Sequence, residues 1–270
     1  MDPSNTTPLY IPCPSGKDPR EWPLRPCAII RQTPFHKTPE GKRVVSNKIW
    51  SCDTLEKHIE ECAFVGFDVE GGNTSDPTQV GLSYLPEFPT TPIKPGMLHG
   101  RLEFLNDKLG SELWSLSIKP REDFVPKHMP CPFATHEASI HFTNVERLLV
   151  ELLSTWKAQS GKKYLVLVGF NTSPDLTVLI DQWPAAAILF DGWLDTRDLA
   201  LGTRVPTDLH GGNFPSLWKM TLSLGIKEIR LSHNAGADAL MAMALMIAAW
   251  DAFKRGEELV IPPPRCKTGI

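Results

Sequence analysis

No two cysteines in this sequence form the CxxC pair that would suggest a zinc site. The six lie at positions 13, 27, 52, 62, 131 and 266. There is thus neither a CxxC pair nor the dense framework of a disulfide-stapled secreted domain. Reduced thiols are the simplest account, and the opening Met-Asp-Pro-Ser-Asn has neither the basic nor the apolar region of a secretory leader. Both point to an intracellular protein, cytoplasmic or nuclear. No run approaches the roughly 18 apolar residues of a membrane span, so no membrane partner is expected. An overall basic charge is missing too. The net charge is −3, which excludes a protein that grips nucleic acid through a broad cationic surface. The charge is unevenly spread. Residues 1–50 hold eight Lys/Arg against four Asp/Glu, which leaves −7 on the remainder. Any nucleic-acid contact must be local, or must run through metal ions held by carboxylates.

What is present suffices for a core. The chain has 270 residues, 41% apolar and 22% charged, enough for one large folded domain. Nine of the 25 prolines fall in residues 1–50, which read as an extended, partly ordered basic arm. The globular domain is expected over 51–258, with an insertion at about 86–142. A tail, 259–270, follows and carries three prolines at 262–264.

Within the domain, Ser51 or Asp53 caps a short helix with Leu55, Ile59 and Cys62 on one face. Strands are read over about 64–69 and 78–85, close enough to form a hairpin. A weaker strand is read at 112–118. Val145, Leu148, Leu149, Leu152, Leu153 and Trp156 have helical spacing. The apolar run Tyr164–Gly169 suits a central strand covered on both faces. A helix capped by Ser173 follows, with Pro174 in its first turn. Residues 187–191 read as a strand, with 193–196 as a candidate continuation, 216–224 as a helix ended by Gly225, and 235–254 as a long final helix stopped by Gly256. The order makes a mixed α/β sheet with helices.

Three spots carry chemistry. In Phe64-Val65-Gly66-Phe67-Asp68-Val69-Glu70-Gly71-Gly72 two carboxylates interrupt a buried strand. Alternation puts Asp68 and Glu70 on one face, where they repel unless a cation offsets them. Asn171-x-x-x-Asp175 lies where a strand passes into a helix. His233-Asn234-Ala235-Gly236-Ala237-Asp238 lies where a loop enters the last helix. Each sets acids at the end of an element, where side chains can converge at a sheet edge.

In order and context these spots resemble the three motifs of the DEDDh 3′–5′ exonucleases of the ribonuclease-H-like superfamily. DxE is Asp68 and Glu70, Asn-x-x-x-Asp is Asn171 and Asp175, and His-x-x-x-x-Asp is His233 and Asp238. The phrase His-Asn-Ala-Gly-Ala-Asp-Ala also resembles a fungal branch of such proteins. The resemblance spans about residues 60–250. It departs at Phe170, where related enzymes often have His or Tyr.

It implies a mixed five-stranded sheet flanked by helices, two divalent ions (Mg²⁺ or Mn²⁺), and a single-stranded RNA or DNA 3′ end as partner. Asp68 would bridge both ions. Glu70 and Asp238 would help hold the ion that carries the attacking water, and Asp175 would serve the second. His233 would take the proton, work suited to an imidazole. A sister class uses Tyr in the third motif, but the three tyrosines here, at 10, 84 and 164, lie elsewhere. Gly71, Gly72 and Asn73 stand where the family holds its terminal nucleotide, either as backbone donors or as a plain turn; Asn171 is also assigned to the substrate. Trp114 could stack on a base or fill the core. Two other readings stay open. One is a catalytically silent ribonuclease-H-like scaffold that binds nucleic acid. The other is a glycosidase-like acid pair at Asp68 and Glu70, which leaves Asp175, His233 and Asp238 unused.

Overall fold

A computed structural model of the chain describes residues 38–71, 76–89, 102, 105, 110–119, 130–201, 215–224 and 233–257. Seven strands form one sheet: β1 (Lys48–Ile49), β2 (Cys62–Gly71), β3 (Pro77–Leu85), β4 (Glu112–Lys119), β5 (His136–His141), β6 (Tyr164–Gly169) and β7 (Gly192–Asp195). Their spatial order is β1-β7-β6-β2-β3-β4-β5. β3 pairs antiparallel with β2 and with β4, and every other pairing is parallel. Only β3 therefore runs against the rest. The C-terminal ends of β2, β6 and β7 meet along one edge, the usual place for a site in an α/β sheet.

Helices cover both faces. One face carries α1 (Pro39–Ser46), α3 (Phe142–Ser160), α4 (Ser173–Gln182) and α5 (Pro184–Ala187). They pack on Ala63, Val65 and Phe67 of β2 and on Leu165 and Leu167 of β6. The other face carries α2 (Cys52–His58), α6 (Thr196–Leu201), α7 (Leu217–Ser223) and α8 (Ala235–Lys254). These pack on Cys62 and Phe64 of β2 and on Tyr164, Val166 and Val168 of β6. Successive residues of β6 thus feed opposite cores, which is why its run is apolar throughout.

α8 is apolar all round and buried along nearly its whole length. By length and composition it is apolar enough to cross a membrane. In this structure it lies between the sheet and the helices α2, α6 and α7.

The structure departs from the sequence reading in several places. Residues 39–49, inside the segment read as an arm, form α1 and β1, and β1 joins the sheet beside β7. Only the candidate continuation at 193–196 pairs, as β7, Gly192–Asp195, and not the strand expected over 187–191. Pro184 restarts a short helix there, and Ala186 and Ala187 donate their N–H groups to the Trp183 carbonyl. β5, the exposed edge strand, was not anticipated; its polar sequence carries no apolar alternation to read. Ser51 does cap α2, accepting the Thr54 N–H. Ser173, however, is the first helical residue of α4 rather than its cap, and Thr172 holds the cap position. Gly225 lies outside the described residues.

Candidate metal centre at the sheet edge

β2 outruns its neighbour. Its pairing with β6 ends at Gly66, whereas its pairing with β3 continues to Gly71, with an irregularity after Glu70. Beyond Gly66 the β6 side of β2 is open. The vacant N–H of Val69 is taken by Oδ1 of Asp175, at 3.2 Å, from the first turn of α4.

On the other face α8 lies almost on the backbone. A Cβ added to Gly81 would fall 1.9 Å from the Ala235 carbonyl oxygen, and one added to Gly66 would fall 2.5 Å from that of Ala239. Only glycine permits this approach, and it brings Asp238 down beside β2. Buried Gln79 fixes the register of α8: its Oε1 accepts the Ala235 N–H at 2.9 Å, and its Nε2 donates to Ser115 Oγ at 3.2 Å. Asn234 caps the helix by accepting the Ala237 N–H.

Asp68, Glu70 and Asp238 consequently each offer a carboxylate oxygen within 4.8 Å of the others. Asp175 stands outside that triplet yet is the strongest charge acting on Asp68. Among the described residues no Lys or Arg pairs with any of the four.

Burial first, then the charges of Asp175, Asp238 and Glu70, push Asp68 well above the usual carboxylate range. Burial does the same to Asp175, aided by Asp195 and Glu70 and opposed by the Val69 N–H. Asp238 is raised to about 7 by burial, by the charge of Glu70 and by a hydrogen bond with it; the His233 backbone N–H works the other way.

Oδ2 of Asp68 is buried with no hydrogen-bond partner. A buried carboxylate oxygen left bare costs free energy unless a cation fills the gap. The donor set is all oxygen and acidic, the chemistry that suits Mg²⁺ or Mn²⁺ rather than zinc. Asp68, Glu70 and Asp238 could hold such an ion, with Asp175 beside them.

His233 stands at the rim. Its side chain is 84% exposed, and Nδ1 lies 3.7 Å from Oε1 of Glu70. Its φ is +70°, and Asn171 has φ +58°. These are the only two non-glycine residues with positive φ among those described, and both sit in candidate motifs. The exposed Asn171 is held by its backbone, donating its N–H to Asp195 Oδ1 at 3.0 Å. Gly71 ends β2 opposite Pro77, too close to Asp76 to carry a side chain. Gly72 and Asn73 lie outside the described residues.

Trp114 does not face the acids. It pairs with Leu82, which pairs with Phe67, so it lies on the opposite face, where it stacks on His136 with ring centres 4.2 Å apart.

Two supporting residues escaped the sequence reading. Gln79 looked like one polar position in an alternating strand. Buried Asp195 receives the N–H groups of Asn171, Thr172 and Arg197, while the Thr172 hydroxyl donates to the Leu194 carbonyl. Asp195 thereby ties down the turn that carries Asn171 and starts the helix of Asp175. An acid at the end of a short strand was the only signal, and it has no motif spacing.

Comparison with models of known protein families gives no match, and no curated protein aligns with the chain.

Proposed function

We propose that this chain is a divalent-metal-dependent 3′–5′ exonuclease of DEDDh type on a ribonuclease-H-like core. The observation that carries the reading is the meeting of Asp68, Glu70 and Asp238, with Asp175 adjacent, around a buried oxygen of Asp68 that has no partner. These acids come from three distant segments, the same three on which the sequence resemblance rests. The core supports it as well. Without two-residue β1 and exposed edge β5, the sheet is a five-stranded mixed one, β4-β3-β2-β6-β7, with β3 alone reversed.

In this reading Asp68, Glu70, Asp175 and Asp238 hold the metal. Bound there, Mg²⁺ or Mn²⁺ supplies Lewis acidity and charge neutralisation for phosphodiester hydrolysis. The His233 imidazole, free at the rim and near Glu70, takes the proton of the attacking water. The water oxygen bonds to phosphorus, the bond to the neighbouring 3′ oxygen breaks, and a 5′-mononucleotide leaves. Asn171, Gly71, Gly72 and Asn73 border the place of the terminal nucleotide. The substrate is the 3′ end of a single RNA or DNA strand.

The test uses full-length protein and a 5′-labelled strand, with Mn²⁺ or with chelator. A ladder shortening from the 3′ end only with Mn²⁺, and lost in Asp68→Ala and His233→Ala, is expected. Binding without cutting would favour the silent scaffold. Matched RNA and DNA strands in the same assay give the preference.

A further inference from the structure

A cleft outside the acid cluster encloses about 480 Å³ and is lined, among the described residues, by Lys119, His141, Thr143 and Asn144. Strand register fixes its place relative to the acids. Glu70 stands opposite Gln79, and Gln79 opposite Ser117. Ser115 meets Gly236 of α8, so Ser115, Ser117 and Lys119, two residues apart, share the face of Asp68 and Glu70. β4 and β5 run in the same direction as β2, and Lys119 pairs with His141 at their C-terminal ends. Lys119 and His141 are therefore on the face and at the end of the sheet that carry the acids, two to three strand spacings away, or roughly 10–14 Å; Thr143 and Asn144, from the first turn of α3 on the other face, close the cleft at that end.

Its chemistry is the reverse of theirs. Among the described residues the lining offers an ammonium, an imidazole, a hydroxyl and an amide, with no carboxylate. No acid pairs with Lys119 among the described residues. Glu137, on this face four residues before His141, is engaged elsewhere, its Oε1 accepting the Cys131 N–H. His141 Nδ1 is occupied within the chain, 2.9 Å from Thr143 Oγ1 and 3.5 Å from the Thr143 N–H, so the ring meets a ligand through Nε2. On a chain of net charge −3, an unpaired cationic cleft beside an acidic site fits the local contact that a polyanion needs.

We propose that this cleft is a subsite for backbone phosphates of the strand whose 3′ end sits at the acids. It deepens the exonuclease reading and rests on it for the place of that end. A stacked strand advances about 3.4 Å per nucleotide, so the phosphates seated here are those about three to four nucleotides upstream of the terminus. Lys119 supplies the charge, and His141 and Asn144 supply hydrogen bonds; the Thr143 hydroxyl is held by His141 Nδ1, at 2.9 Å.

Two readouts on full-length protein test this. First, binding of a single strand of about twelve nucleotides is followed by anisotropy across a salt series, with chelator present so that nothing is cut. Each phosphate contact on a single strand contributes about 0.7 to the slope of log K against log salt. Lys119→Gln should lower the slope by about that amount and Lys119→Arg should keep it. Lys163→Gln, at the opposite end of the sheet, should leave it unchanged. Second, with Mn²⁺ present, Lys119→Gln should slow cutting of the long strand several-fold and that of a dinucleotide less. An unchanged slope in Lys119→Gln overturns the subsite, even if the protein cuts normally. A lowered slope in a protein that never cuts keeps the subsite and removes the exonuclease reading.

Discussion

At the N-terminal end of β6 and β7 a single carboxylate is surrounded by donors; at the C-terminal end of β2 four carboxylates face one another. Asp191 accepts from Arg43 at 2.7 Å, from Lys157 at 2.6 Å and from the Leu165 N–H at 2.9 Å. Its charge is matched and its bonds join α1 and α3 to the strands. Asp68 has three acidic neighbours, no basic one among the described residues, and an oxygen with no partner at all. Both acids lie at sheet ends within the same fold, so position alone does not separate them. Compensation does. Where an acid holds elements together its lone pairs are filled from within the chain. Where the chain leaves an acid uncompensated, the carboxyl either takes up a proton or stands open to a cation from outside.

Four experiments can break or sharpen that contrast, beginning with the largest effect. Asp68→Ala should reduce Mn²⁺-dependent strand cutting by about 10²–10³-fold or more, since metal charge stabilisation is worth several kcal/mol. In chelator, Asp68→Asn should nonetheless melt several degrees higher than wild type, because it removes a buried, repelled charge; a lower melting temperature would make this end as structural as the other.

His233→Ala should lose about 10²-fold or more in cutting rate, the usual contribution of a positioned base. Its side chain is exposed, so calorimetry should show an unchanged melting temperature. A matching loss of stability would turn His233 into a scaffold residue.

The third is pH and metal dependence. Asp238 is raised to about 7, well above a carboxyl of the unfolded chain at about 4. The folded state binds that proton more tightly, so the associated stabilisation is complete below about pH 4 and lost as pH rises through 7. In chelator the melting temperature should therefore fall between about pH 5 and pH 8, and Asp238→Asn should flatten the fall. Mn²⁺ at about 100 times its Kd should restore about 2.7 kcal/mol at the high-pH end. A pH-independent melting curve that ignores Mn²⁺ would count against the metal centre.

The smallest effect belongs to the compensated end. Asp191→Asn should cost about 1–2 kcal/mol, modest because both cations are partly exposed. It should leave the Mn²⁺ response untouched. A change in metal affinity would mean that the two ends are coupled.

Much of the fold could be read without coordinates. The α3 periodicity, the β6 apolar run and the β2–β3 hairpin all bury one face or two, and burial writes a period into the sequence. Elements with weaker burial or non-local support went unread. β5 is largely exposed, β1 has two residues, and the turn at 188–191 is set by the Pro184, Ala186 and Ala187 carbonyls, which accept the N–H groups of Ile188, Leu189 and Phe190, and by the Asp191 N–H given to the Leu165 carbonyl. The misassigned cap has the same origin: Asp195, over twenty residues downstream, accepts the Asn171 and Thr172 N–H groups and so sets the turn from which the helix starts.

The sequence by itself determined which acids were candidates, because DxE, Asn-x-x-x-Asp and His-x-x-x-x-Asp are local spacings set by strand and helix geometry. It also determined that β2 and β6 lie inside, because apolar runs leave water wherever the chain goes. Only the tertiary structure decided that Asp175 reaches the open edge of β2, that Gly66 and Gly81 let α8 lower Asp238 onto it, and that Trp114 faces away. Those outcomes depend on strand order and on backbone approaches of a few ångströms between residues more than a hundred positions apart, and a linear pattern carries no record of either.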